Sequence, residues 1–111
     1  MIYDLNKMPF IYWDDSTKIS FLQRQIIVHS ILYYELNTAV ISDSEFDFLS
    51  KQLVELQRQA NKGELEKSQY YYVFYDFDGT TGFDLWYRLK DSDKTYLLSI
   101  SKQVKRLSNT T

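Results

Sequence analysis

The sequence predicts an α+β fold in one small domain, residues 1–111: an antiparallel αα-hairpin, then a β-hairpin, then a C-terminal amphipathic helix. Three observations carry that expectation. Apolar residues recur at three- and four-residue steps over 17–62, the period of a helix. Over 69–90, a run rich in aromatic and β-branched residues (QYYYVFYDF) is followed by strict alternation in FDLWYRL, the composition and period of strands. Helical spacing then returns over 93–108.

The elements follow in order. Residues 2–13 (IYDLNKMPFIYW) hold many β-formers and one proline, which suits an extended arm or short strand. Asp14, Asp15 and Ser16 signal a helix start. From Thr17 to Leu36 the residues Ile19, Leu22, Ile26 and Tyr33 keep helical spacing, and Phe21, Val28, Ile31 and Leu32 widen the stripe. A helix apolar on more than one side is central, or it offers a face to a partner. Asn37 to Ile41 make a short connection. Ser42 and Glu45 form a capping box with Asp43 in the first turn, and Phe46, Leu49, Leu53 and Leu56 carry the helix to about Ala60, with Gly63 as its stop. After a polar link, Asp78-Gly79 within DGTTG reads as a hairpin turn, because both residues tolerate positive φ. Phe83, Leu85, Tyr87 and Leu89 would share one sheet face, opposite Asp84, Trp86 and Arg88. The last helix opens at Asp91-Ser92-Asp93 and carries Leu97, Ile100, Val104 and Leu107. Lys102, Lys105 and Arg106 suit its negative end, and the tail SNTT is expected to fray.

Composition narrows the function classes. Hydrophobic residues at 44% and charged residues at 25% are those of a soluble folded domain. A net charge of −2 argues against a nucleic-acid partner, which needs a basic footprint larger than Lys102, Lys105 and Arg106 provide. With no cysteine and one histidine, neither a disulfide framework nor a metal site is expected. No segment has the features of a signal peptide or a membrane span, so a cytoplasmic protein is expected. Aromatic residues reach 17%, led by ten tyrosines. Tyr71, Tyr75, Trp86 and Tyr87 are expected to form an exposed cluster that anchors a protein partner. The broad apolar stripes are also compatible with a homodimer.

One motif is refused. Asp76-Phe77-Asp78-Gly79-Thr80 resembles the first motif of haloacid-dehalogenase-like phosphatases, where one aspartate attacks phosphorus and the second handles the leaving group's proton. Those enzymes need further catalytic groups spread over a doubly wound domain, and the chain after Thr80 is too short to supply them. A turn accounts for the same residues.

Residues 29–56, HSILYYELNTAVISDSEFDFLSKQLVEL, resemble the small N-terminal helical domain (domain Ia) of NAD-dependent DNA ligases. In that family a Tyr-His pair on one helix is followed by a loop, an acidic residue, a Tyr-Asp pair and a Leu-rich helix. The matching residues here are Tyr33-Tyr34, Asp43 and Phe46-Asp47. The ligase surface grips the nicotinamide mononucleotide (NMN) half of NAD. The resemblance therefore implies Tyr33, Tyr34, Asp43, Phe46 and Asp47 as ligand-binding residues, with aromatic faces for the cationic ring and carboxylates for ribose hydroxyls. Two positions depart: Tyr34 replaces His and Phe46 replaces Tyr. His29 lies a turn earlier and off the arc of the replaced His. The family's Lys-x-Asp-Gly nucleophile motif does not occur in this chain, so ligase catalysis is not expected and no catalytic residue is assigned. Small stand-alone chains of this pattern resemble products of phages or other mobile elements. On that ground the expected function is a non-catalytic interaction module in a bacterial host, binding and inhibiting a host protein or defence complex. The alternative is an accessory that binds NMN or NAD.

Overall fold

A computed structural model describes residues 3–80 and 82–109. After a 3-10 turn at Phe10–Tyr12 come α1 (Asp15–Ser30), continued by a π-helical turn (Ile31–Glu35), then α2 (Asp43–Gln59) and α3 (Lys62–Glu66). The single turns α4 (Tyr71–Phe74) and α5 (Leu85–Arg88) and the long α6 (Asp91–Ser108) complete the order. Among the described residues there is no strand, and no helix is long and apolar enough to cross a membrane.

The αα-hairpin forms for the reasons the residues suggest. Asp14 caps α1 by accepting from the Thr17 amide at 2.8 Å. Ile19, Leu22, Ile26, Ile27 and Val28 are all buried, and so are Gln23 and Ser30. The apolar surface thus covers most of the circumference, and α1 is the central rod, packed against α2, α3, α5 and α6. Ser42 and Glu45 form the capping box of α2: the Glu45 amide donates to Ser42 Oγ (3.1 Å) and the Ser42 amide donates to Glu45 Oε1 (3.0 Å). Leu49 and Leu53 turn inward from α2. Gly63 is not its stop. The chain leaves the helix at Ala60, whose ψ is 147°, and Asn61 caps α3 by accepting from the Glu64 amide, so Gly63 lies inside that short helix.

The α+β expectation fails at residues 69–90, where two helical turns stand in place of the β-hairpin. Tyr70, Val73 and Phe74 are fully buried, and their spacing is i, i+3, i+4, a helical face within an aromatic run. A buried side chain holds the segment there. Gln23 Oε1 accepts from the Tyr70 amide at 3.0 Å and Gln23 Nε2 donates to Ser68 Oγ at 3.1 Å. The alternation over 83–89 is equally deceptive. Leu85 and Leu89 are buried four residues apart, while Phe83 and Tyr87 are exposed, so the burial period is four and not two. Gly79 does take positive φ (84°), but it packs against α2 near Val54, and Asp78 Oδ1 accepts from the Thr80 amide in a local turn. Thr81, in the same stretch, lies outside the described residues.

The N-terminal arm is also not a strand. Gln52 on α2 receives the Leu5 amide (2.9 Å) and donates to the Tyr3 carbonyl (2.7 Å), which seats Leu5 in the core. Tyr3, Phe10, Trp13 and Phe21 then pack through ring contacts with centroids 4.9–5.7 Å apart. Ile2 lies outside the described residues, as do Thr110 and Thr111 of the expected frayed tail. The last helix begins at Asp91, within the expected Asp91-Ser92-Asp93 opening, with Asp91 and Asp93 in its first turn and Lys105 and Arg106 in its last. Leu97 is buried and Ile100 and Val104 pack on the core, whereas Leu107 remains exposed.

Candidate functional site

A cleft of about 240 Å³ opens where the π-helical turn faces the start of α2. His29, Ser30, Tyr33 and Tyr34 line one wall, the loop Ala39–Ile41 lines the second, and Ser42, Asp43 and Phe46 line the third.

Local backbone chemistry positions each wall. Adjacent residues of an α-helix diverge by about 100°, which would splay Tyr33 from Tyr34. The wider π-helical turn, with the Leu36 amide bonded to the Ile31 carbonyl (3.0 Å), lets both rings border the cleft. The rings meet edge to face at 4.8 Å. Asn37 then adopts a left-handed backbone (φ 51°), which asparagine tolerates, and the Thr38 amide donates back to the Leu32 carbonyl at 2.7 Å. That reversal turns residues 39–41 over the cleft. Lys105 of α6 donates to the Leu36 carbonyl, one of the orphan acceptors at the helix end.

Four of the five residues singled out from the sequence meet here: Tyr33, Tyr34, Asp43 and Phe46. Asp43 is the first residue of α2, beside the positive end of its dipole. The capping box occupies Ser42 and Glu45, so the Asp43 carboxylate is not used as a cap. The hydrogen bonds from Ser42 also hold the Glu45 carboxyl below its ordinary range. Asp47 does not line the cleft. Its carboxylate pairs with Lys51 one turn along the helix, at 2.9 Å.

Of the lining residues not singled out from the sequence, His29 and Ser30 bring polar side chains from the central helix. His29 precedes Tyr33 by four residues, the helical spacing that puts both on one face, and it shares the cleft with Tyr34. Its Nδ1 is buried with no hydrogen-bond partner. Burial pushes the imidazole below the ordinary histidine range, with Glu45 acting weakly in the opposite direction. Ser30 donates from Oγ to the Gly82 carbonyl at 2.5 Å. Gly82 has room for no side chain: a Cβ there would stand 2.8 Å from Ser30 Oγ and 3.0 Å from Phe46 Cζ. The C-terminal half of the chain is thus seated against two lining residues. The i, i+4 relation of His29 and Tyr33 was a signal available in the sequence. The approach of Gly82 across 52 residues was not.

The aromatic cluster expected of a protein-contact hairpin is not assembled. Tyr71 and Trp86 are half-buried, with the Lys94 ammonium over the Trp86 ring at 5.4 Å. Tyr75 is exposed under the Arg88 guanidinium at 5.8 Å, and Tyr87 is exposed beside Phe83. Without a sheet, nothing brings the four rings to one face. Among the described residues no group of histidine and acidic side chains is arranged to hold a metal ion.

The comparisons with known proteins meet this geometry at the same segment. Residues 13–68, half of the chain, match the family described as DNA ligase-like, N-terminal NAD+-binding domain. A DNA ligase of Endomicrobium trichonymphae is 43% identical over 42 residues, which are 38% of this chain and 6% of that enzyme. The chain therefore spans a small part of the curated relative it matches. No solved structure matches it.

Proposed function

Because the chain belongs to the family of DNA ligase-like, N-terminal NAD+-binding domains, we propose that its cleft binds the nicotinamide mononucleotide half of NAD+ without transforming it. The observation that carries this reading is the convergence of Tyr33, Tyr34, Asp43 and Phe46 on one cleft. A cationic nicotinamide ring is stabilised by aromatic faces and by a nearby carboxylate, and the cleft supplies both. The volume fits half a dinucleotide: about 240 Å³ lies below the span of ~300–1,000 Å³ usual for larger ligands.

The two departures from the family pattern change how the ligand is held. Phe46 keeps a stacking face and gives up a hydroxyl. Tyr34 gives up an imidazole at its own position, but His29 brings one to the same cleft with Nδ1 unpartnered. A neutral imidazole suits a cationic ring better than an imidazolium would, and burial favours the neutral form. Asp43 is left for the ring charge or for ribose hydroxyls. Asp47, paired with Lys51 outside the cleft, is assigned no contact.

The test is a thermal-stability titration with NMN. A ligand that binds only the folded state stabilises it by about 2.7 kcal/mol at a hundredfold excess over its Kd, which a melting scan resolves. Asp43→Asn and His29→Ala are expected to weaken the shift and Asp47→Asn to leave it intact. Absence of any shift at millimolar NMN would sink the proposal.

A further inference from the structure

The cleft does not end at its tyrosines. Tyr34 meets Phe83 edge to face at 5.6 Å, and Phe83 meets Tyr87 at 6.5 Å with the rings tilted by 48°. Together with the Tyr33–Tyr34 contact these four rings make a continuous row, beginning in the cleft wall and running out along the surface. All four are exposed, from 42% at Tyr34 to 66% at Tyr87. Large apolar side chains left open in a contiguous row mark a contact surface more often than isolated ones do. Phe83 and Tyr87 lie beyond the family segment at 13–68, so the outer half of the row stands outside the matched residues. It is tied to the cleft by the bond from Ser30 to the Gly82 carbonyl.

We propose that this row is a stacking seat for the adenine of the same dinucleotide, so that the chain holds NAD+ by both bases. The inference rests on the assignment of the cleft to the nicotinamide half. The occupant follows from continuity: a ligand whose nicotinamide half fills a cleft walled by Tyr33 and Tyr34 has Phe83, in ring contact with Tyr34, and then Tyr87 as the adjoining aromatic surface. A purine is recognised there by its π face, which needs no hydrogen-bond readout. The net charge of −2 accommodates one pyrophosphate but opposes a long polyanion, which favours a dinucleotide over a nucleic-acid strand.

The experiment is calorimetric titration of the full chain with NMN, NAD+ and AMP, in the wild type and in Tyr87→Ala, Tyr87→Phe and Phe83→Ala. Stacking of one added base predicts NAD+ binding roughly tenfold or more tightly than NMN. Tyr87→Ala and Phe83→Ala should shrink that ratio toward one while NMN affinity holds, and Tyr87→Phe, which keeps the ring, should preserve it. Saturation-transfer NMR should show the adenine protons of bound NAD+ in contact with the protein, more weakly in Tyr87→Ala. Equal affinities for NMN and NAD+ in the wild type, or a ratio unchanged by both alanine variants, would overturn the seat while leaving the cleft assignment standing. Failure of NMN and NAD+ alike would remove the cleft assignment itself, and the seat with it.

Discussion

Gly82→Ala puts the tightest joint of the molecule under load. The new Cβ would stand 2.8 Å from Ser30 Oγ, 3.2 Å from Ser30 Cβ and 3.0 Å from Phe46 Cζ. Ser30 cannot retreat without giving up its 2.5 Å bond to the Gly82 carbonyl, and it is buried on the central helix. Overpacking of this kind costs about 1–3 kcal/mol, and loss of the buried hydrogen bond adds about 1 kcal/mol. The expected destabilisation is therefore roughly 2–4 kcal/mol. For a domain of this size that lowers Tm by about 10 °C or more. Urea unfolding should show a lower midpoint with the same slope, since the surface exposed on unfolding is unchanged. Because Phe46 lines the cleft, NMN affinity should fall in the same variant. Ser30→Ala combined with Gly82→Ala should cost less than the sum of the two single changes, as coupled neighbours do. A Gly82→Ala protein within about 0.5 kcal/mol of wild type would show that residues 82–89 are not seated on Ser30 and Phe46, and their support of these two lining residues would fall with it.

Three further outcomes follow from particular contacts. Burial holds the His29 imidazole below about 6.5, its ordinary value. The unfolded chain then binds the extra proton first, so stability is full above that pH and declines as pH falls toward the lowered value; pH-dependent urea midpoints should flatten over that window in His29→Gln. The charged and titratable groups around this histidine are Glu45 and Asp43 on α2, Tyr33 and Tyr34 on its own helix, and Arg24 and Tyr3 in the adjoining groove. NMN affinity should hold through that window and weaken only as pH falls through the lowered value, where the folded imidazole gains its proton, because an imidazolium opposes a cationic ring. Tyr70→Phe removes a buried hydroxyl that has no partner; stability should hold or rise by up to about 1 kcal/mol, and a larger loss would reveal a bond to that hydroxyl. Gln23→Leu leaves the Tyr70 amide buried without an acceptor and should cost about 1–3 kcal/mol, with accelerated hydrogen exchange at that amide.

How much of this was legible depended on whether a signal was local. Helix starts were: Asp14 and the Ser42/Glu45 box act through their own backbone within four residues. The wide apolar surface of residues 19–32 implied a helix that is central or offers a face to a partner, and the structure makes it central. The β-hairpin was not legible as false. QYYYVFYDF and FDLWYRL have strand composition, and alternation at every second position contains the i, i+4 pair Leu85/Leu89 within it. In the first of these segments the helical turn is held by a contact with no local trace: Gln23 accepts from the Tyr70 amide 47 residues away. Of the five residues the family pattern singles out, Tyr33, Tyr34, Asp43 and Phe46 line one cleft, while Asp47 stands outside its lining and pairs with Lys51. The mutual approach of Gly82, Ser30 and Phe46 leaves no periodic trace in the sequence.

The same distribution explains why the cleft, although its lining lies within the family segment, is not held in place by that segment alone. Helix α1 buries side chains on opposite faces, and a helix of that kind needs cover on both. The second helix supplies one cover, through Leu49 and Leu53. The other comes from residues beyond 68: Tyr70, Val73 and Phe74, then Leu85 and Leu89, then Leu97. These fix the orientation of α1, and with it the arc on which His29 and Tyr33 stand. Lys105 of α6 binds the last carbonyl before the loop, so the third long helix also steadies the hinge from which residues 39–41 close over the cleft. If the cleft takes the nicotinamide half as proposed, the choice between a mononucleotide and a dinucleotide falls to the C-terminal half. The family segment contributes the cleft, and residues 82–87 decide what borders its mouth.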